Sequence, residues 1–278
     1  MNLPTLIDTE DNALDVLQKA TSGISQYEPG LSQDEVDLIN RIKGQLQNDH
    51  LIQKDWLLAA DALELNGSAL FALAKQPKIP EISLPSHIQQ WVLPFGTYSV
   101  NAYAIHTRPG NCVLIDAGFE TEPYFYRLDQ LNLKPTALLI THNHRDHVGT
   151  MKALLERFPD MPVYANDPHL SHLAAPLSHC MSFTLDTLNV TARQIPGHAL
   201  DALAFEINDE GHTFLAAGDG IYACSAGKIP TNYKKGLQVL RTEVLDKNPY
   251  AFILPGHGPI TRVAEERLRN PFFAGFYV

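Results

Sequence analysis

A short apolar run, Ala137-Leu-Leu-Ile140, ends abruptly in Thr141-His-Asn-His-Arg-Asp-His-Val-Gly149. His142, His144, Asp146 and His147 therefore fall within six residues. Three imidazoles and a carboxylate this close together are costly for a fold unless something holds them. Neutral imidazole and carboxylate are the ligands that borderline divalent metals prefer. The run requires a strand that stops and a loop that gathers donors, so a metal is the first hypothesis and metal-assisted hydrolysis the first function.

Three later apolar runs also end in a ligand type. Gln194-Ile-Pro-Gly leads to His198, Phe214-Leu-Ala-Ala-Gly to Asp219, and Phe252-Ile-Leu-Pro-Gly to His257. A glycine precedes each, which suits tight turns and close backbone approach at strand ends. Four strand ends carrying seven His and Asp residues can converge at one edge of a sheet sandwich. One tetrahedral zinc takes four ligands, or three and a water, so seven suit two metals. The simplest division gives His142, His144 and His198 to one metal, and Asp146, His147 and His257 to the other, with Asp219 bridging.

The rest of the chain divides near residue 85. The first part is helical: Leu14, Leu17 and Ile24 mark one helix. Ser32-Gln-Asp-Glu35 is a capping box before Val36, Ile39, Ile42 and Leu46 at helical spacing. Further helices are expected over Lys54–Leu65, closed by Asn66-Gly67, and from Ser68 to Lys75. The three prolines of Gln76–Pro85 read as an extended linker. Beyond it, strands are expected at His87–Val92, Tyr98–Ile105, Cys112–Ile115, Ala137–Ile140, Pro162–Tyr164, Val190–Ile195, Ala202–Ile207, Thr213–Ala217 and Ala251–Leu254. Helices are expected at Glu122–Leu131, Thr150–Phe158, Pro168–Leu173 and Lys234–Lys247. The pattern is layered α/β, with a helical segment at 1–85 and a catalytic domain at 86–278.

Bulk properties narrow the function classes. The 278 residues, 45% apolar and 19% charged, are ordinary globular composition. A net charge of −10 argues against nucleic acid as partner, because phosphates need a basic surface. Met1–Asp11 has neither a basic start nor a long apolar core, and no apolar run approaches the ~18 residues of a membrane span. The expectation is a cytoplasmic protein with a small-molecule substrate and no membrane partner. Cys112, Cys180 and Cys224 are odd in number and widely spaced, which speaks against a disulfide framework. His169, His172 and His179 lack acidic or cysteine company and read as structural. The acidic N-terminal region reads as a solvated cap, a cover for the site or a homodimer contact. The aromatic end, Pro271–Val278, is expected to dock on its own domain or a partner subunit.

The H-x-H-x-D-H run, glycine-His198, glycine-Asp219 and Pro255-Gly-His-Gly258, in that order, resemble the metallo-β-lactamase superfamily, most of all its glyoxalase II and lactonase-like branch. Val100-Asn-Ala-Tyr-Ala-Ile105 with Val113-Leu-Ile-Asp-Ala-Gly118 resembles that family's opening hairpin. The resemblance implies an αββα sandwich, here with an N-terminal helical extension. It also implies two divalent metals, zinc first and iron or manganese as alternatives. The implied enzyme is a dinuclear hydrolase that cleaves a thioester, lactone or related ester with a metal-bridging hydroxide. The competing readings are a mononuclear iron enzyme like the persulfide dioxygenases, and a phosphodiesterase. Asp146 is then the catalytic residue that orients the hydroxide and takes its proton, and Asp116 is a partner for a ligand imidazole. Tyr222, Phe119 and Lys228 are the expected substrate contacts. Two departures stand against a glutathione thioester. Only Pro259–Val278 follow the last ligand, and Ala199-Leu-Asp201 follows His198 where that branch has a second glycine-histidine turn.

Overall fold

Two six-stranded sheets pack face to face, and the residue alternation of their strands explains the layers. The computed structural model describes residues 6–170 and 172–277. Met1–Thr5 of the N-terminal segment, Ser171 of the expected helix at 168–173, and Val278 of the aromatic end lie outside the described residues.

The N-terminal segment runs β1 (Leu6–Asp8), α1 (Ala13–Ile24), α2 (Gln33–Gln47), α3 (Gln53–Ala62), α4 (Gly67–Lys75) and β2 (Lys78–Pro80). The Ser32 capping box forms as its spacing predicts: Glu35 accepts the Ser32 backbone N–H at 2.7 Å while the Ser32 hydroxyl caps the Glu35 amide. Asn66 does not close α3. Its side chain accepts the Ala69 N–H at 2.9 Å and so caps the start of α4 instead. The proline-rich linker also does more than span a gap, because β2 pairs with β1.

The first sheet holds β3 (Ile88–Phe95), β4 (Tyr98–His106), β5 (Asn111–Ile115), β6 (Lys134–Leu139), β7 (Val163–Ala165) and β8 (Ala174–Pro176), in that spatial order. Helices α5 (Thr121–Gln130), α6 (Arg145–Val148) and α7 (Met151–Arg157) interrupt it in sequence. The second sheet begins with β9 (Met181–Leu185), β10 (Leu188–Gln194), β11 (Leu203–Asp209) and β12 (His212–Gly218). A small hairpin, β13 (Ile221–Tyr222) and β14 (Ser225–Ala226), and helix α8 (Tyr233–Leu240) intervene. β15 (Phe252–Pro255), β16 (Thr261–Arg262) and α9 (Val263–Arg269) complete it, with spatial order β16-β15-β12-β11-β10-β9. The expected α/β sandwich with an N-terminal helical extension is what forms.

In β12, Phe214 and Ala216 point between the sheets while Leu215 and Ala217 point to the helices. All four are at most 1% exposed. Period two thus gives one strand two buried faces. Fully burying a Phe or Leu contributes roughly 1.5–3 kcal/mol each. The intersheet core joins Tyr103, Ile105, Val113 and Leu139 to Val190, Phe205 and Phe214. The outer face of the second sheet meets α8 and α9, and that same cluster continues into Val16, Leu17 and Trp56 of the N-terminal helices. Phe272 and Phe273 dock into it, so the aromatic end packs on its own chain. Among the described residues no helix is long and apolar enough to cross a membrane.

All nine expected strands are present. The expected helix at Pro168–Leu173 is reduced to one 3-10 turn, Pro168–Leu170. The one expected over Lys234–Lys247 is α8 followed by a wider π turn at Arg241–Leu245. Among the elements that reading the pattern missed, besides short ones such as β1, β8, β13, β14, β16 and α6, are β9 and α9. Met181, Ser182 and Thr184 of β9 are exposed, and Leu268 of α9 is exposed, so neither carries a clean apolar stripe.

Two glycines test the docking of α1. A Cβ on Gly23 would lie 2.4 Å from the Tyr233 ring of α8, whereas nothing lies within 4 Å of one on Gly44. Gly44→Ala should stabilise the chain by about 0.5–1 kcal/mol through helix propensity. Gly23→Ala should instead cost about 1–3 kcal/mol by overpacking, despite the same propensity gain. Urea unfolding of both variants measures the difference in sign; a stabilising Gly23→Ala would contradict this packing.

Candidate metal centre

Strand direction brings the ligands together. β5 and β6 run parallel, as do β12 and β15, so their C-terminal ends share one edge. Asp116 follows β5, the His142–His147 run follows β6, Asp219 follows β12 and His257 follows β15. β10 ends at Gln194 and its extension delivers His198 to the same place. Two glycines are required there. A Cβ on Gly256 would sit 2.1 Å from Asp219 Oδ1, and one on Gly218, at φ +48°, would sit 2.4 Å from Thr141 Oγ1. Gly197 has more room, with its nearest neighbour at 3.5 Å.

The structure brings all seven residues together in two adjoining groups, His142, His144, His198 and Asp219, and Asp146, His147 and His257. In the first, His142 Nε2 and His198 Nε2 each lie 3.0 Å from His144 Nδ1. Asp219 Oδ2 is 3.5 Å from His198 Nε2 and 4.0 Å from His142 Nε2. In the second, Asp146 Oδ2 is 3.2 Å from His257 Nε2 and 3.8 Å from His147 Nε2. Asp219 straddles the groups, with Oδ1 at 3.3 Å from His147 Nε2 and Oδ2 at 3.4 Å from His257 Nε2. A tetrahedral ion with bonds of ~2.0–2.1 Å sets its ligand atoms roughly 3.3 Å apart, which these separations bracket.

The outer nitrogens decide which way the lone pairs face. His147 Nδ1–H donates to Asp116 Oδ2 at 2.8 Å. His198 Nδ1–H donates to the Lys228 carbonyl at 3.0 Å, and His257 Nδ1–H to the Ser99 carbonyl at 2.6 Å. Thr141 Oγ1 donates to Asp116 Oδ2 at 2.8 Å and so accepts from His142 Nδ1 at 3.1 Å. Carboxylates and carbonyls only accept, so each of these four rings gives its Nδ1–H outward and turns its Nε2 inward, where a proton or a cation can sit. Buried His147 Nε2 and Asp219 Oδ1 have no hydrogen-bond partner. A cation satisfies this arrangement of facing lone pairs, and the donor set fits two divalent ions.

Charge follows the same geometry. Burial, then the neighbouring His147, holds His142 well below the usual imidazole range, so it is neutral. Burial lowers His198 as well. Burial opposes ionisation of Asp219, but His147 and His257 outweigh it and keep the carboxylate well below its usual range.

Asp116 is the hub beneath the site. It is buried at φ +56°, and besides His147 and Thr141 Oγ1 it accepts the Thr141 N–H at 2.8 Å. Its own carbonyl accepts from Tyr124 Oη at 2.9 Å. Sequence reading missed several supports. Asp201 accepts the Asn143 N–H at 2.9 Å between two ligands. Asn101 Nδ2 donates to the Pro255 carbonyl at 3.0 Å and the Gly258 carbonyl at 2.8 Å, fixing the loop of His257.

The expected substrate contacts fall as follows. Tyr222 is buried edge-on to His257, with ring centroids 5.8 Å apart. Phe119 lies against Phe95 at 5.0 Å, with the Arg145 guanidinium 5.3 Å from its ring. Lys228 touches the site through its carbonyl, while its side chain is exposed on the rim. His169 and His172 are exposed and join no ligand group. His179 does meet Cys180 and Glu243, but Glu243 is already paired with Arg193 at 3.2 Å and Lys247 at 3.6 Å.

In the metal-free chain the His257 imidazole is pushed up to about 10: burial works against its charge, but hydrogen bonds to Asp146 and Asp219 outweigh it. His147 is raised in the same way, against burial, by Asp116 and Asp219. Protons then stand where cations bind, and a cation must displace them. Zinc added to chelator-stripped protein at pH 7 should release protons, and its apparent affinity should fall as pH falls. A titration with a pH indicator measures both; pH-independent binding without proton release would contradict the assignment.

Known proteins agree with this fold. The model of the metallo-beta-lactamase superfamily matches residues 95–257. A relative described as "Probable metallo-hydrolase YqgX", from Bacillus subtilis (strain 168), is 26% identical over 213 residues, 66% of this chain and 97% of its own. The hydroxyacylglutathione hydrolase of Cronobacter sakazakii (strain ATCC BAA-894) is 31% identical over 128 residues. That match covers 46% of this chain and 49% of the relative, so this chain spans about half of that enzyme. Among solved structures, the BLEG-1 B3 metallo-beta-lactamase superposes with a TM-score of 0.58 at 26% identity, over 68% of this chain and 100% of that one. With the family match spanning every one of the seven ligand positions, the chain belongs to the metallo-beta-lactamase superfamily.

Proposed function

We propose that this chain is a dinuclear metal-dependent hydrolase, loaded with zinc, that cleaves a thioester, lactone or related carboxylic ester. The observation that carries the reading is the complete set of seven donors, split in two by Asp219. When bound, two divalent cations supply Lewis acidity and a hydrolytic water whose pKa is lowered toward ~7.

The chain's own residues do the rest. Burial disfavours the Asp146 charge, but the His257 hydrogen bond and the nearby His147 outweigh it and hold the carboxylate below its usual range. Asp146 is thus an ionised base at neutral pH and takes the proton of the attacking water at its carboxylate. Tyr222 is kept protonated well above the ordinary phenol range by burial and by the charge of Asp219. It therefore serves as a hydrogen-bond donor for a developing oxyanion. Phe119 and Phe95 offer an apolar wall, and Lys228 lines a groove of about 220 Å³ with Gln18 and Ser22 beside it.

Zinc-loaded protein should hydrolyse an acyl thioester or a simple lactone, lose that activity with a chelator and regain it with zinc. His142→Ala should fall to background in both metal content and turnover. Turnover confined to a phosphodiester, or oxygen uptake by a single-iron form, would overturn the reading.

A further inference from the structure

The β13–β14 hairpin touches the metal centre at three points. It leaves directly from Asp219, and a Cβ on Gly227 would sit 1.7 Å from the Asp219 carbonyl oxygen. Its Tyr222 lies on His257. Just past it, the Lys228 carbonyl fixes His198. Whatever holds this hairpin therefore sets ligands of both groups.

Two clamps hold it. On one side α9 and the residue after it act: Glu266 accepts the Cys224 N–H at 2.9 Å and Asn270 Nδ2 donates to the Ser225 carbonyl at 2.8 Å. On the other side the holders come from the N-terminal segment, outside the residues of the family match. Lys19 Nζ of α1 donates to the Ala226 carbonyl at 2.9 Å and pairs with Asp11. The Ser225 hydroxyl donates to the same Asp11 carboxylate. The Lys19 ammonium also lies 4.8 Å from the centre of the Tyr222 ring, a cation–π approach. Next along the chain, Glu10 presses on Gly258, where a Cβ would be 2.5 Å from Glu10 Cβ. The segment thus passes over the loop of His257 and grips the hairpin between Asp219 and Lys228.

We propose that the N-terminal segment is a working wall of the metal centre, with Lys19, anchored by Asp11, as a positioning residue that sets Tyr222 and His198 through the β13–β14 hairpin. It rests on the hydrolase reading for its kinetic consequence alone. Lys19 touches no ligand atom, so its effect travels through the hairpin.

The test uses the full-length chain carrying Lys19→Met, Lys19→Arg or Asp11→Asn. Hydrogen–deuterium exchange should rise about tenfold or more at residues 220–228 in Lys19→Met, the loss of one charged hydrogen bond, with β10–β12 unchanged. Lys19→Arg should restore most of that protection. On any ester the wild type turns over, Lys19→Met should lower kcat about 10- to 100-fold at similar KM and unchanged metal content. In a Tyr222→Phe background the same change should have a much smaller effect, because the two act as one unit. Should Lys19→Met fail to fold, Lys19→Arg and Asp11→Asn carry the exchange measurement. Unchanged exchange at 220–228, or a uniform rise along the whole chain, would overturn the proposal. A wild type that hydrolyses no ester would sink the hydrolase reading, while the exchange result still decides Lys19.

Discussion

Everything at this edge of the molecule depends on lone pairs that face one another. His142, His147, His198 and His257 each spend one ring nitrogen on an acceptor behind them, so the other points inward. Turning such nitrogens and two carboxylates into one buried space is unfavourable by itself, and protons or cations must occupy it. The fold supplies the restraint. Parallel strand pairs deliver the ligands, Gly218 and Gly256 allow the loops to touch, and Asp116 adopts a left-handed backbone to reach both Thr141 and His147.

That restraint is supported from two directions. The intersheet core fixes the strands, and their outer faces are covered by helices. On the side of the second sheet the cover includes α1, α3 and α4, which share one apolar cluster with α8 and α9. The N-terminal helices therefore stabilise the sheet that carries Asp219 and His257, and the same segment grips the β13–β14 hairpin beside the site through Asp11 and Lys19. Stability and site geometry are coupled through the same segment.

The clustering of the seven residues was legible because four apolar runs stop at or just before them, and their order along the chain is specific. Asp116 was legible through its Asp-Ala-Gly turn. The capping box at Ser32 was local and readable. Other parts left no local signature. The carbonyls of Lys228 and Ser99 orient two ligands, yet a backbone group carries no residue identity. Lys19 acts on Ala226, 207 residues away, and nothing in either neighbourhood announces the pair. Lys228 was expected as a substrate contact, whereas its contact with His198 is made by its carbonyl. β9 was missed because an edge strand exposed at Met181, Ser182 and Thr184, on both of its faces, lacks a strong pattern.

The central claim is that seven residues form one site for two cations. Anomalous diffraction at the zinc edge, from crystals of protein purified without chelator and supplied with zinc, tests it most directly. The account predicts two peaks, one enclosed by His142, His144 and His198, the other by Asp146, His147 and His257, with Asp219 between them. A single peak, or peaks away from these residues, would contradict it.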